Sequence, residues 1–158
     1  MNRINICLAI LGLTILTVSC GGPQTVWTES HNFAAGKWTG ERRITFTPDT
    51  FSLERAGAVK GIITFRYGAN ASVKAFPLIV ETESPATGYY SCDTLIQELL
   101  PLEMRTGKNG KLGIFETNDT IEFKDTPKPG WQVTLSQATD ESEIKGLFSV
   151  TFTLLVGD

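Results

Sequence analysis

The stretch "GWQVTLSQATDESEIKGLFSVTFTLLV", residues 130–156, carries the signature of the fold twice. In its first part Trp131, Val133 and Leu135 fall on one side of an extended chain, with Gln132, Thr134 and Ser136 on the other. In its last part Phe148, Val150, Phe152 and Leu154 alternate with Ser149, Thr151 and Thr153. Successive side chains of a strand point to opposite faces, so a period of two means one buried face and one wet one. The joining "ATDESEIKG" reads as an acidic loop or a single helical turn.

The same alternation recurs upstream. Ile44 and Phe46 share a face in "RITFT", and Val59, Ile63, Phe65 and Tyr67 do so in "VKGIITFRY", where Gly61 fits a bulge or a close approach. In "VKAFPLIVETE" the set is Phe76, Leu78 and Val80. Pro77 has no N–H to give a ladder, which predicts that this strand lies at a sheet edge or bulges there. Turn-forming segments ("TPDT", "RAG", "YGAN", "SPATG", "GKNGK", "TPKPG") separate the runs. One segment departs, "CDTLIQELLPLEM" at 92–104. Its Leu95, Ile96, Leu99 and Leu102 have near-helical spacing that Pro101 would break, so it reads as a short helix or irregular crossover. The expected fold is all-β: an antiparallel sandwich, jelly-roll-like, over residues 31–158.

Ahead of that domain the chain reads as an export signal. Arg3 is the only charge before Cys20, and the apolar run that follows it falls short of the roughly 20 residues a spanning helix needs. Two readings of the junction "ILTVSCGGPQT" exist. Ordinary cleavage would leave Cys20 a free thiol. A lipobox, Thr17-Val18-Ser19 before a cysteine that receives diacylglycerol, would make Cys20 a membrane anchor. The small Ser19 and the flexible polar residues after the cysteine favour the second, although Thr17 stands where a lipobox ordinarily has Leu. The expected organisation is a lipoprotein signal peptide at 1–19, a lipidated cysteine and tether at 20–30, and a single domain at 31–158. The membrane is then a partner through acyl chains on Cys20, each buried CH₂ contributing ~0.8 kcal/mol.

Composition narrows the functions open to the domain. Removing Arg3 from the 14 basic residues leaves 13 against 17 acidic, a net charge of −4. The nearest approach to a basic stripe is Arg42-Arg43, so nucleic acid is not an expected partner. Cys7 falls in the signal, which leaves Cys92 alone in the domain. No internal disulfide is then possible, stability must come from a packed core, and Cys92 reads as a small buried hydrophobe.

The catalytic constellations are hard to build. His31 is the only histidine, beside the tether, and reads as a surface residue; no histidine-centred hydrolase or zinc site can form around it. Glu98, Glu103, Glu116, Asp119 and Glu122 are the carboxylates a glycosidase pair could use, with Glu116 the best single candidate. Asp-Thr occurs at 49–50, 93–94, 119–120 and 125–126, and reads as turn chemistry rather than scattered metal ligands. No cofactor is expected. Among the aromatics, Trp131 reads as core, and Trp38, set in "GKWTGE" among polar residues and glycines, as the exposed contact for a partner or a glycan.

In order along the chain come a lipobox cysteine, "NFAAGKW" with Phe33 and Trp38, the "FPL" stretch, Asp93-Thr94, "GKLGIFE", and residues 130–155. Together they resemble the GldH gliding-motility lipoproteins of Bacteroidetes, over nearly the whole mature chain and most firmly after Gly107. The middle departs: of a Tyr-Pro followed by an Asn-Leu stretch, only Phe76-Pro77-Leu78 is kept. The resemblance implies a non-catalytic structural or interaction lipoprotein of the outer envelope, associated with protein components of the gliding and secretion machinery. With no acidic residue in "GGPQT", it further implies an outer-membrane anchor with the domain facing the periplasm. It also implies O-glycosylation at Asp-Thr followed by an aliphatic residue, which fits Thr94 and Thr120. The competing expectation is a glycan-binding envelope lipoprotein using an exposed aromatic.

Overall fold

A computed structural model describes residues 22–48, 58–99, 113–123, 128 and 130–157. Ten strands follow in order: β1 Gln24–Asn32, β2 Lys37–Thr39, β3 Ile44–Phe46, β4 Ala58–Gly68, β5 Ala75–Ser84, β6 Tyr89–Glu98, β7 Ile114–Glu122, β8 Gln132–Gln137, β9 Glu143–Lys145 and β10 Leu147–Gly157. A short 3₁₀ turn, Ala34–Gly36, joins β1 to β2. One sheet has the order β1-β10-β4-β7 and a second the order β3-β8-β5-β6, every pair antiparallel. The ribbon β2-β9 stands apart from both. This is the all-β antiparallel sandwich that the alternation predicts.

The two inner faces supply the core. Ile63, Phe65, Tyr67, Val150, Phe152 and Leu154 come from the first sheet, and Phe46, Phe76, Leu78, Val80, Val133 and Leu135 from the second, all 2% exposed or less. Gly61 is a close approach, as its place in the pattern predicts. A Cβ there would sit 2.7 Å from the Phe152 ring and 3.0 Å from Phe123.

Trp38 closes one end of the sandwich. It is the single inward residue of β2, is 0% exposed, and lies between the sheets with its ring centroid 5.8 Å from Phe65 and 6.0 Å from Phe76. Its Nε1–H donates to the Arg42 carbonyl at 2.7 Å, so the one polar atom of the indole is satisfied inside. The placement of Trp38 as an exposed contact is therefore corrected.

Four further expectations are corrected. Residues 24–30, read as tether, form most of β1, which pairs with β10 from Gln24↔Val156 onward. Residues 92–98, read as helix or crossover, belong to the extended strand β6. Pro77 lies in β5, a central strand between β8 and β6. It is tolerated because N–H and C=O of one strand residue point the same way: its carbonyl accepts from Ala138, just past the end of β8, so its missing donor faces the place where that neighbour stops. Phe148 is exposed instead of sharing the face of Val150, because a register shift between Leu147 and Ser149 puts Leu147 inside in its place.

The turn before β10 requires glycine. Gly146 has φ +80°, donates to Gly36 O and accepts from Gly68 N, both at 2.8 Å, and a Cβ would meet the Ala71 Cα at 2.6 Å. Trp38→Ala should lower the unfolding free energy by about 4 kcal/mol through the cavity left between the sheets. Gly146→Ala should lower it by roughly 2 kcal/mol or more through backbone strain and collision. Chemical denaturation checks both: the midpoints fall in that order with the denaturant slope unchanged.

Candidate functional site

The sequence-level site residues do not converge. Cys20 lies outside the described residues, as do Cys7, Glu103, Asp49-Thr50 and Asp125-Thr126. Glu116 and Glu122 point out from β7 while Asp119, on the same strand, points inward. Glu122 pairs with Lys60 at 3.6 Å. Glu98 is exposed on β6. Of the described candidates only Asp119 is turned inward, with Glu98 near enough to act on it, while Glu116 and Glu122 lie six residues apart on the outer face of β7.

Asp93-Thr94 and Asp119-Thr120 sit within strands β6 and β7, not in turns as expected. The extended backbone throws Thr94 and Thr120 outward, both exposed, on the edge strands of the second and first sheets. Cys92 is also exposed on the outer face of β6, against its reading as a buried hydrophobe. His31 is half-buried and accepts from Arg42 Nη2 at 2.9 Å. Burial, then the Arg42 charge, hold its pKa below the ordinary imidazole value.

Between the edge strands β6 and β7 the two sheets meet through polar groups. Gln97, 1% exposed, donates from Nε2 toward Thr117 Oγ1 at 3.3 Å, while its Oε1 and the neighbouring Asp119 Oδ2 are buried without partners. A buried acceptor without a partner is costly. Desolvation raises the Asp119 pKa; Gln97 opposes that and Glu98 adds to it.

The outer face of β3-β8-β5-β6 is the most developed polar surface. Glu81, on β5, is ion-paired with Arg43 and accepts a hydrogen bond from Tyr90 Oη at 3.1 Å. The Tyr90 ring is 59% exposed, and its hydroxyl pKa is pushed up to about 12, first by that bond to Glu81. Gln132 and Glu83 lie in register beside Tyr90, and Thr45 and Thr134 beside Glu81. A flat sheet face with one accessible ring and pre-oriented donors and acceptors can hold a polar ligand against an apolar surface. Arg43, Glu81 and Tyr90 meet only through the pairing of β5 with β6 and the approach of the segment before β3, which period-two alternation does not give, so the sequence does not reveal this cluster.

Among the described residues no group of three or more His, Cys, Asp or Glu side chains could hold a metal ion. None of the described helices is long and apolar enough to cross a membrane. No protein-family profile and no curated protein sequence matches the chain. Solved structures with a similar fold include a carbohydrate-binding module of a family 9 glycoside hydrolase from Ruminococcus flavefaciens. It is 16% identical with TM-score 0.48, over 83% of this chain and 98% of that one. A carbohydrate-binding module specific for non-crystalline cellulose is 11% identical with TM-score 0.40, over 84% and 74%. The globular domain of zebrafish complement 1qA is 10% identical with TM-score 0.36, over 84% and 97%.

The Asp119 environment fixes a pH dependence. A carboxyl whose folded pKa is raised favours the neutral form, so its contribution is complete below the ordinary value of 3.8 and is lost as pH rises through the raised one. Asp119→Asn cannot ionise. The wild type should therefore lose stability relative to this variant as denaturation is moved from acid pH to neutrality, and the two curves should converge at the acid end.

Proposed function

We propose that the protein is a membrane-anchored, non-catalytic lipoprotein of the cell envelope whose β-sandwich is an interaction module. In this reading Cys20 carries the acyl chains in the outer membrane, the domain faces the periplasm, and its partners are protein components of the gliding and secretion machinery that the GldH resemblance implies. The observation that supports an interaction role best is the Arg43–Glu81–Tyr90 surface. It offers an ion-paired, hydrogen-bonded carboxylate and an exposed ring on one sheet face.

A second reading, glycan binding on the same face, is favoured by the Tyr90 ring in place of Trp38. Tyrosine presents an apolar face for stacking on a sugar ring, and Glu81, Arg43 and Gln132 lie where sugar hydroxyls would be met.

Crosslinking pull-downs from native membranes separate the two. Envelope machinery components should be recovered with the wild type and lost with Cys20→Ala, which should also leave the membrane fraction and lack acyl mass. Recovery of the same components with the soluble form would defeat the anchored-scaffold reading. On glycan-loaded affinity gels, retardation abolished by Tyr90→Ala would put glycan binding first.

A further inference from the structure

The position of β1 fixes which end of the sandwich would meet a membrane. Gly21, Gly22 and Pro23 alone separate Cys20 from Gln24, so the strand begins within ~14 Å of the cysteine even with the link fully extended. Gln24 pairs with Val156, Val156 with Val59, and Lys60 with Glu122. Phe123, next after Glu122, lies 5.7 Å from Trp131, which stacks on Tyr89 at 5.1 Å. One end of both sheets is thereby defined: the starts of β1, β4, β6 and β8, and the ends of β5, β7 and β10. The strands β4 and β10, each of 11 residues, carry the other end roughly 35 Å away.

The side chains at the near end have a particular chemistry. Of the six Trp and Tyr residues in the chain, Trp27, Tyr89, Tyr90 and Trp131 are at this end. The other two, Trp38 and Tyr67, are both 0% exposed. Val26, Trp27, Val59, Tyr89, Phe123, Leu155 and Val156 are only half-buried there. Trp131 itself is buried, 2% exposed, beneath Tyr89 and Phe123, and its Nε1–H finds no acceptor among the described residues. Indole and phenol rings with an apolar body and a polar tip are the side chains that settle at the boundary between lipid headgroups and acyl chains. Lys128 is exposed beside the rim, and Lys60, also exposed there, is paired with Glu122.

We propose that the sandwich docks end-on at the bilayer surface through this Trp27–Tyr89–Phe123 rim, with Trp131 packed beneath it, so that the anchor and the rim hold one orientation together. The inference rests on acylation of Cys20, and the test reads acylation separately. The mature protein is extracted from membranes, its intact mass is measured, and it is reconstituted into phosphatidylethanolamine–phosphatidylglycerol vesicles with brominated acyl chains.

Tryptophan emission should be quenched by the brominated lipid, and Trp27→Phe should remove most of the quenchable part, because Trp131 is 2% exposed and Trp38 0%. In a Cys92→Ser background, a nitroxide on Lys60→Cys should gain collisions with oxygen and lose them with a water-soluble nickel chelate when vesicles are added. A nitroxide on Asn70→Cys, at the far end, should not change. Acyl mass present with both labels unchanged would mean the domain stands off the bilayer and would overturn the proposal while leaving the anchor intact. A change at a Thr64→Cys label instead would mean that the first sheet lies flat on the membrane, which overturns it equally. Missing acyl mass would remove the anchor and the docking proposal together. Lys60 and Asn70 are exposed, so the labels do not depend on the core tolerating substitution.

Discussion

The structure depends on one satisfied indole. The two four-stranded sheets share no strand, and at the end away from β1's start the gap between them is filled by Trp38, in van der Waals reach of Phe33, Phe65 and Phe76. Full burial of tryptophan is expensive unless its N–H finds an acceptor. The segment "KWTGERR" supplies its own. Arg42 N–H donates to Thr39 O, a turn that folds the chain back and leaves the Arg42 carbonyl 2.7 Å from the indole. The ribbon β2-β9 is held outside by Lys37 and Lys145 on Glu143, whose pKa the Lys37 bond in particular holds low. These exposed pairs contribute little. The buried ring holds the ribbon in place.

That ring also shows where the sequence is legible and where it is not. Long strands declare themselves, because four or five alternations cannot be mistaken: Ile63-Phe65-Tyr67 and Val150-Phe152-Leu154 are inside as their spacing requires. Trp38 has the same alternation, but in a strand of three residues whose polar neighbours outnumber it. Averaging over the neighbours makes it look exposed. Phe148 fails for a different reason: a bulge inserts a residue, and everything before it changes face while the composition stays the same. In β6, an edge strand, both faces are partly wet, so the apolar residues do not alternate cleanly and Leu95, Ile96 and Leu99 take on an accidental helical spacing.

The site residues follow from the same rule. Glu116, Asp119 and Glu122 are three apart, a spacing that gathers side chains on a helix and separates them on a strand. Once β7 is a strand, the inward Asp119 faces Gln97 across the sandwich and the other two face solvent, so no acid pair can form among them. The Arg43–Glu81–Tyr90 cluster was out of reach of any local reading. Its members are brought together by the pairing of β5 with β6 and the approach of the segment before β3, separations of 9 and 38 residues that only the sheet register resolves.

The anchor we propose at Cys20 would give that register a direction in space. With Cys20 at a bilayer, the short link lets strand direction run close to the membrane normal, and the outer faces of both sheets then look sideways, parallel to the membrane plane. The Glu81 face would meet neighbours held in the same membrane, and the β2-β9 ribbon would be the point farthest from it. A module of this shape suits lateral assembly better than capture of ligands from above. This is a physical reason for weighing envelope protein partners ahead of free glycans, independent of the family resemblance. It also explains why β1 is worth ordering so soon after the anchor. A long flexible tether would let the domain tumble and present every face, whereas with the proposed anchor a strand starting at Gln24 would tie the sandwich's own axis to the membrane.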